Sequence, residues 1–144
     1  KNMISAVLDT NILASGALKP SSIPGQILKQ WRDDKFELII SQHILSELEE
    51  TLNKSYFRNI LKTQDIDDFL ELLLSEAILT LITTTIQGVA THPEDDLVLA
   101  TAESGKASFV VTGDHGLQNL KQFKNIKIVS PSTFSEILHT EKAA

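Results

Sequence analysis

Residues 4–11 read ISAVLDTN, a short apolar run that ends at three polar residues. The run from Ile4 to Leu8 has no regular polar and apolar alternation, which is typical of a parallel strand covered on both faces. Ligand sites in open α/β sheets gather beyond the carboxyl ends of such strands. Asp9 therefore stands where a functional carboxylate is expected, although an Asp at this place also starts turns or caps helices.

Strands and helices alternate along the rest of the chain. Apolar stretches predict strands, and apolar residues three or four apart predict helices. The predicted strands cover residues 4–8, 36–40, 79–86, 109–112 and 126–129. Helices are predicted from about Ile27 to Asp34, after Ser41, over 93–104, 117–123 and 131–138, with a helical hairpin inserted at about 55–79. This order predicts one domain, residues 1–144, folded as a three-layer α/β/α sandwich around a central, mostly parallel sheet of about five strands.

Two helix starts are predicted from capping chemistry. The Ser41 hydroxyl can cap the helix that follows the second strand. Residues 91–94, THPE, have the form of a capping box with Pro93 in the first turn, and Gly105 ends the same helix.

Composition limits the class of protein. The chain has 144 residues, 42% hydrophobic and 22% charged, as expected of an ordinary soluble domain. No apolar run approaches the ~20 residues that cross a bilayer, and the start lacks the pattern of a secretory signal, so we expect a cytoplasmic protein without membrane contact. The net charge of -6 argues against a protein that coats nucleic acid, and zero cysteines exclude a disulfide framework and a thiolate zinc site.

Further carboxylates follow the other predicted strands. Glu47 lies in the helix after the second strand, Asp95 and Asp96 open the helix at Pro93, and Asp114 follows the fourth strand. Parallel strands bring such positions to one edge of the sheet, which predicts a divalent-metal site. Oxygen ligands favour Mg²⁺ or Mn²⁺ over zinc.

Each acid also has a purely structural interpretation. Glu47, like Glu49, flanks the apolar face of its helix and could be a solvated charge. Asp95 and Asp96 suit the first turn of any helix, and Asp114 suits a turn. Of the four histidines, only His115, next to Asp114, is retained as a candidate proton carrier.

Four motifs in this order carry a resemblance to a known family. The series VLDTN, SELEE, PEDDLVLATAESG and FVVTGD resembles the PIN-domain family of metal-dependent ribonucleases, and within it the VapC-like toxins of toxin–antitoxin pairs. The resemblance runs from about Met3 to about Ile137.

The resemblance implies a set of site residues. The catalytic acids would be Asp9, Glu47, Asp95 and Asp114, and the ligands of one or two Mg²⁺ or Mn²⁺ ions would be Asp9, Asp95, Asp96 and Asp114. Asn11 and Thr112 would support the carboxylates through hydrogen bonds. Counting back from Ala102 favours Asp95 over Asp96 as the main ligand. Gly116 stands where related sequences often carry another acid, which leaves the number of ions open.

The implied activity is hydrolysis of RNA phosphodiester bonds by metal-activated water. Lys54, Arg58 and Lys62 recur every four residues and could follow an RNA backbone, or form a solvated face. The resemblance also implies an antitoxin partner and a homodimer, for which the apolar hairpin from Tyr56 to Leu79 offers a surface.

Two other functions stay open at this point. The first is a noncatalytic binding module whose acidic pocket receives RNA or a basic peptide of a partner. The second is a Mg²⁺-dependent phosphoryl-transfer domain, which also places an Asp after the first strand. A haloacid-dehalogenase-like phosphatase would have a second Asp two residues later, where this chain has Asn11.

Overall fold

A six-stranded sheet with helices on both faces forms the molecule, a computed structural model that describes residues 3–143. The strands are β1 (Ser5–Leu8), β2 (Glu37–Ile40), β3 (Ile78–Leu79), β4 (Phe109–Val111), β5 (Gln122–Phe123) and β6 (Ile126–Val129). The helices are α1 (Thr10–Leu18), α2 (Ile23–Arg32), α3 (Gln42–Leu52), α4 (Ser55–Arg58), α5 (Thr63–Glu76), α6 (Pro93–Ser104), α7 (His115–Gln118) and α8 (Pro131–Ala143).

The strand order is β3-β2-β1-β4-β6-β5, and only β5 pairs antiparallel. From β1 the chain moves outward through β2 to β3, and it then returns to place β4 on the other side of β1. The carboxyl ends of β1 and β4 thus form the switch point of the sheet, where such folds bind ligands. All four residues of β1 are buried, so helices cover both faces. The predicted three-layer α/β/α fold with a mostly parallel sheet is confirmed.

The third predicted strand is wrong over most of its length. Residues 79–86 were expected to be a strand, but only Ile78 and Leu79 pair with β2. Beyond them, the Thr80 N–H donates to the Ile40 carbonyl, and β2 then ends because Ser41 starts the next helix. The Thr83 N–H instead donates to Ser104 Oγ at the end of α6.

The predicted helix over 117–123 is also wrong. α7 covers only His115–Gln118, and Gln122–Phe123 forms the antiparallel strand β5. Lys121 adopts a left-handed backbone with φ of 63°, which interrupts a right-handed helix. A second left-handed residue, Lys124, turns the chain from β5 into β6.

The remaining elements follow local sequence signals closely, with two exceptions. Ser41 Oγ accepts from the Ile44 N–H, which confirms the predicted cap, and α6 covers the predicted residues with Gly105 at its end. The capping box at 91–94 is wrong, because His92 is the N-cap and makes no capping bond with its side chain. The helix α1 was not predicted.

The inserted segment is helical, but its two helices are unequal. α4 is a single turn of four residues, whereas α5 has 14 residues and buries Ile66 and Leu73. The core lies between the sheet and its helices, where Phe36 and Phe134 meet edge to face with ring centroids 5.1 Å apart. Within residues 3–143, no helix combines the length and the apolar character that a membrane span requires.

Candidate active site

A pocket of about 630 Å³ opens at the carboxyl ends of the central strands. Its lining includes six carboxylates: those of the predicted site residues Asp9, Glu47, Asp95 and Asp114, and those of Glu50 and Glu94. These residues come from the ends of β1 and β4, from α3 and from the first turn of α6. The tertiary structure therefore brings together acids that are up to 105 positions apart in the chain (114 minus 9).

Asp9 is the most buried acid of the pocket, with 7% of the residue exposed. Its Oδ1 accepts from the Thr10 N–H at 2.7 Å, which caps α1, and its Oδ2 accepts from the Thr112 hydroxyl at 2.8 Å. Burial raises the pKa of Asp9, although the hydrogen bonds from Thr112 and Thr10 act in the opposite direction. Asp9 thus caps α1 and also lines the pocket, so a structural role and a functional role are compatible at this residue.

Thr112 joins two of the acids. Besides donating to Asp9, its hydroxyl accepts from the Asp114 N–H at 3.0 Å. Thr112 is completely buried, and β4 is tied to β1 beside it by the hydrogen bond from the Asp9 N–H to the Val111 carbonyl. The predicted supporting position of Thr112 therefore has a direct geometric basis.

Asp114 starts α7 and faces the pocket. Its Oδ2 accepts from the Leu117 N–H at 2.7 Å. A Cβ atom added at Gly116 would lie 3.2 Å from the same oxygen, so a side chain at this position would contact the Asp114 carboxylate. Gly116 therefore leaves this edge of the pocket without an additional acid.

Glu47 reaches the pocket from α3 and is held by Thr10, which was not among the predicted site residues. The Thr10 hydroxyl donates to Glu47 Oε1 at 2.6 Å. Thr10 directly follows Asp9, so the start of α1 contacts both acids. The neighbouring residues Glu49 and Glu50 are exposed, and only Glu50 also lines the pocket.

Asp95 and Asp96 point to different surroundings. Asp95 lines the pocket, and burial together with the negative charges of Asp9 and Asp114 raises its pKa to about 6. Asp96 is buried, and its two oxygens accept from the Ala90 N–H at 2.7 Å and the Gly88 N–H at 3.0 Å. The structure does not bring Asp96 to the pocket, because its carboxylate is used to hold the loop before α6.

The predicted basic stripe is not a single helical face. Lys54 lines the pocket, but it precedes the one-turn helix α4, and Arg58 at the end of that helix donates to Asn53. Lys62 precedes α5 and does not line the pocket. The helix breaks between them, so only Lys54 lies beside the acids.

Asn11 and three of the histidines differ in whether they line the pocket. Asn11 lines the pocket, but among the described residues its side chain does not make the predicted hydrogen bond to an acid. His115 is exposed and does not line the pocket, whereas His43 and His92 do. His43 lies one helical turn before Glu47, a spacing that the sequence already contained.

The chemistry of the pocket fits a hard divalent cation, since carboxylate oxygens are the preferred ligands of Mg²⁺ and Mn²⁺. The pKa values of Asp9 and Asp95 are both raised, first by burial and then by the charges of neighbouring carboxylates, and a cation would offset that negative charge. Among residues 3–143, however, no three His, Asp or Glu side chains are arranged to hold an ion as they stand. The acids therefore fit a cation by type and location, and coordination would require side-chain rotation.

Comparison with known proteins identifies the family. A family model for the PIN domain matches residues 5–116, a span that contains all six acids of the pocket. The chain belongs to the PIN-domain family. A search of curated proteins returned no significant match.

Two solved structures resemble this PIN domain in fold. VapBC2 from Rickettsia felis, solved with a DNA fragment from their promoter, has a TM-score of 0.59 at 19% identity, with 88% of this chain and 98% of that chain covered. FitAcB from Neisseria gonorrhoeae has a TM-score of 0.57 at 19% identity, with the same coverage. At this level of identity the likeness concerns the fold of the PIN domain.

Proposed function

We propose that this PIN domain is a divalent-metal-dependent endoribonuclease and acts as the toxin of a toxin–antitoxin pair. The observation that carries the proposal is the gathering of Asp9, Glu47, Asp95 and Asp114 in one pocket at the switch point of the sheet. Membership of the PIN-domain family supports a nuclease, and the sequence resemblance to VapC-like toxins supports the more specific role.

Asp9, Asp95 and Asp114 would hold one or two Mg²⁺ or Mn²⁺ ions. Thr112 and the Thr10 N–H fix the Asp9 carboxylate, so its position is set before any ligand arrives. Asp96 is left out of this set, since its carboxylate holds the loop before α6 and does not line the pocket. A divalent ion bound by Asp9, Asp95 and Asp114 would lower the pKa of a bound water molecule and would offset negative charge on the phosphate.

The protein side chains around the ion position the reactants. Glu47, anchored by Thr10, orients the water that attacks phosphorus. The water oxygen bonds to phosphorus and releases a proton to solvent, while the bond from phosphorus to one ribose oxygen breaks and that oxygen leaves as a hydroxyl by taking a proton from solvent. Lys54, at the edge of the pocket, attracts the RNA phosphate backbone. Asn11 lies beside Asp9 and contributes a polar group to the same wall.

The test is cleavage of labelled single-stranded RNA by the purified protein with Mg²⁺, with Mn²⁺ and with a chelator. Asp9→Asn is expected to lose more than the roughly 10–100-fold that removal of an outer hydrogen-bond partner costs. Glu49→Gln is the matched control, because Glu49 is exposed on the same helix as Glu47 and does not line the pocket. An Asp9→Asn protein with full activity would contradict the assignment.

A noncatalytic binding module is the second candidate. The observation that favours it is that no three acids, among the described residues, are arranged to hold an ion as they stand. Such a module would bind RNA with equal affinity with and without divalent ions, and would leave the RNA intact. Release of phosphate from small phosphoesters would instead indicate a phosphoryl-transfer enzyme.

Two kinds of protein partner follow from the proposed toxin role. An antitoxin would insert an arginine among the acids and block the pocket by charge pairing. A second copy of the chain would cover the exposed apolar residues of the inserted segment, where Tyr56, Ile60 and Leu74 are 64%, 57% and 58% exposed. Light scattering of the wild-type protein and of Tyr56→Ser tests the homodimer.

A further inference from the structure

The Nε2 atom of His43 has no hydrogen-bond partner among the described residues. His43 lines the acidic pocket, yet this atom is shielded from solvent. A buried ring nitrogen without a partner is unfavourable and is rare in native proteins. The atom is therefore expected to have a partner in the functional state.

The nearest acidic oxygen belongs to Glu47. Nε2 lies 3.9 Å from Glu47 Oε1, and the two residues are one turn apart on α3. This separation is about 1 Å longer than an ordinary N–H···O hydrogen bond. A small rotation of the glutamate side chain would close it without movement of the helix.

Glu47 Oε1 is also held from the opposite direction. It accepts from the Thr10 hydroxyl at 2.6 Å, and Thr10 belongs to α1 rather than α3. The two potential donors thus act on the same oxygen. Within the described residues, no hydrogen bond reaches Glu47 Oε2, which is the oxygen left for water or substrate.

We infer that His43 is a positioning residue for Glu47, with the His43 Nε2–H donating to Oε1 so that Oε2 faces the pocket. This inference rests on the proposed nuclease function for its effect on rate. His43 itself need not touch the RNA. Its role requires the tautomer that carries hydrogen on Nε2.

The kinetic test compares His43→Leu with His43→Gln in RNA cleavage with Mn²⁺. Leu removes the donor, and kcat is expected to fall about 10–100-fold with little change in KM, as for other residues that orient a functional group. Gln places an amide nitrogen near the former Nε2 and is expected to restore much of kcat. His139→Leu, an exposed histidine on α8, is the control and is expected to leave kcat unchanged.

A double-mutant cycle with Glu47→Gln separates positioning from direct substrate contact. If His43 acts through Glu47, His43→Leu has little further effect on kcat in the Glu47→Gln protein. Independent, multiplicative losses would overturn the inference. Thermal melts of all variants show whether a loss of rate reflects unfolding.

If the wild-type protein does not cleave RNA, that result contradicts the proposed function and not the role of His43. A second measurement, which needs no activity, then tests the contact between His43 and Glu47. Nitrogen NMR of the imidazole is expected to show the Nε2–H tautomer of His43 in the wild-type protein. The Nε2 signal should shift in Glu47→Gln and stay unchanged in Glu49→Gln. An Nδ1–H tautomer, or no response to Glu47→Gln, would overturn the inference.

Discussion

The Thr112 hydroxyl donates to Asp9 Oδ2 at 2.8 Å, although 103 positions separate the two residues in the chain. The same oxygen of Thr112 accepts from the Asp114 N–H, so one side chain couples the acid after β1 to the acid after β4. Leu8 and Val111, the last residues of β1 and β4, pair in parallel, so the two strands end side by side and this contact is possible.

Thr112→Val should therefore weaken both the fold and the site. Valine has nearly the same shape but no hydroxyl, which leaves the Asp114 N–H and Asp9 Oδ2 each without a partner. We expect a loss of about 1–3 kcal/mol in the free energy of unfolding and a roughly 10–100-fold loss in cation affinity or RNA cleavage. Urea denaturation and calorimetry with Mn²⁺ measure the two effects. Thr112→Ser, which keeps the hydroxyl, should retain most of both.

Asp95 should make stability depend on pH in a defined window. Its pKa is raised from 3.8 to about 6 in the folded protein, so between these values the folded state binds more protons than the unfolded state. Stability without divalent ions is then expected to fall as pH rises from about 4 to about 6. Melting temperatures across this range, measured in a chelator, check the sign.

Asp95→Asn should remove much of this loss of stability between about pH 4 and about pH 6. After allowance for solvent screening of this partly exposed carboxylate, we expect a gain of about 1 kcal/mol in unfolding free energy at pH 7, or roughly 3 °C in melting temperature. The same variant should lose the stabilisation that Mn²⁺ gives the wild-type protein. A protein that melts lower than wild type at pH 7 would contradict the like-charge account of the pocket.

Asp96→Asn should have the opposite effects: it should lower stability and leave cation binding unchanged. Its carboxylate accepts two backbone hydrogen bonds from the loop before α6, and an asparagine amide can replace only one of them. We expect a loss of about 1–3 kcal/mol in unfolding free energy with unchanged Mn²⁺ affinity. Denaturation and calorimetry on the Asp95 and Asp96 variants side by side would show which aspartate serves the cation.

Lys54→Gln should weaken RNA binding without affecting the fold. Lys54 is exposed at the edge of the pocket, so its loss removes one phosphate contact and should lower the slope of log affinity against log salt by about 0.7 for single-stranded RNA. Lys62→Gln is the matched control, since Lys62 is exposed but does not line the pocket. Equal slopes for the two variants would show that Lys54 has no special contact with RNA.

Much of this fold is determined by short-range sequence signals. The apolar run before Asp9, the Ser41 cap and the helix from Pro93 to Gly105 depend on residues within one or two turns of each other, and the structure has them as predicted. Hydrophobic burial and capping act locally, so they can be recognised in a single chain without knowledge of its neighbours.

The failures arise where a distant partner decides the outcome. The Thr- and Ile-rich residues 79–86 have the composition of a strand, but β2 ends beside Leu79 and leaves the rest without a neighbour to pair with. Strand pairing depends on the partner strand, and a sequence window does not contain that partner.

The same division applies to the pocket. The position of Asp9 and Asp114 after strands was visible in the sequence, and counting back from Ala102 favoured Asp95 over the adjacent Asp96, but no sequence pattern showed what each of these two carboxylates contacts. The tertiary structure separates them, because the amides of Gly88 and Ala90 occupy the Asp96 oxygens while Asp95 faces the other acids. It likewise brings Thr10 to Glu47. Sequence determined which side chains could carry negative charge, and folding decided which of those charges meet, because electrostatic and hydrogen-bond contacts act over a few ångströms in space rather than along the chain.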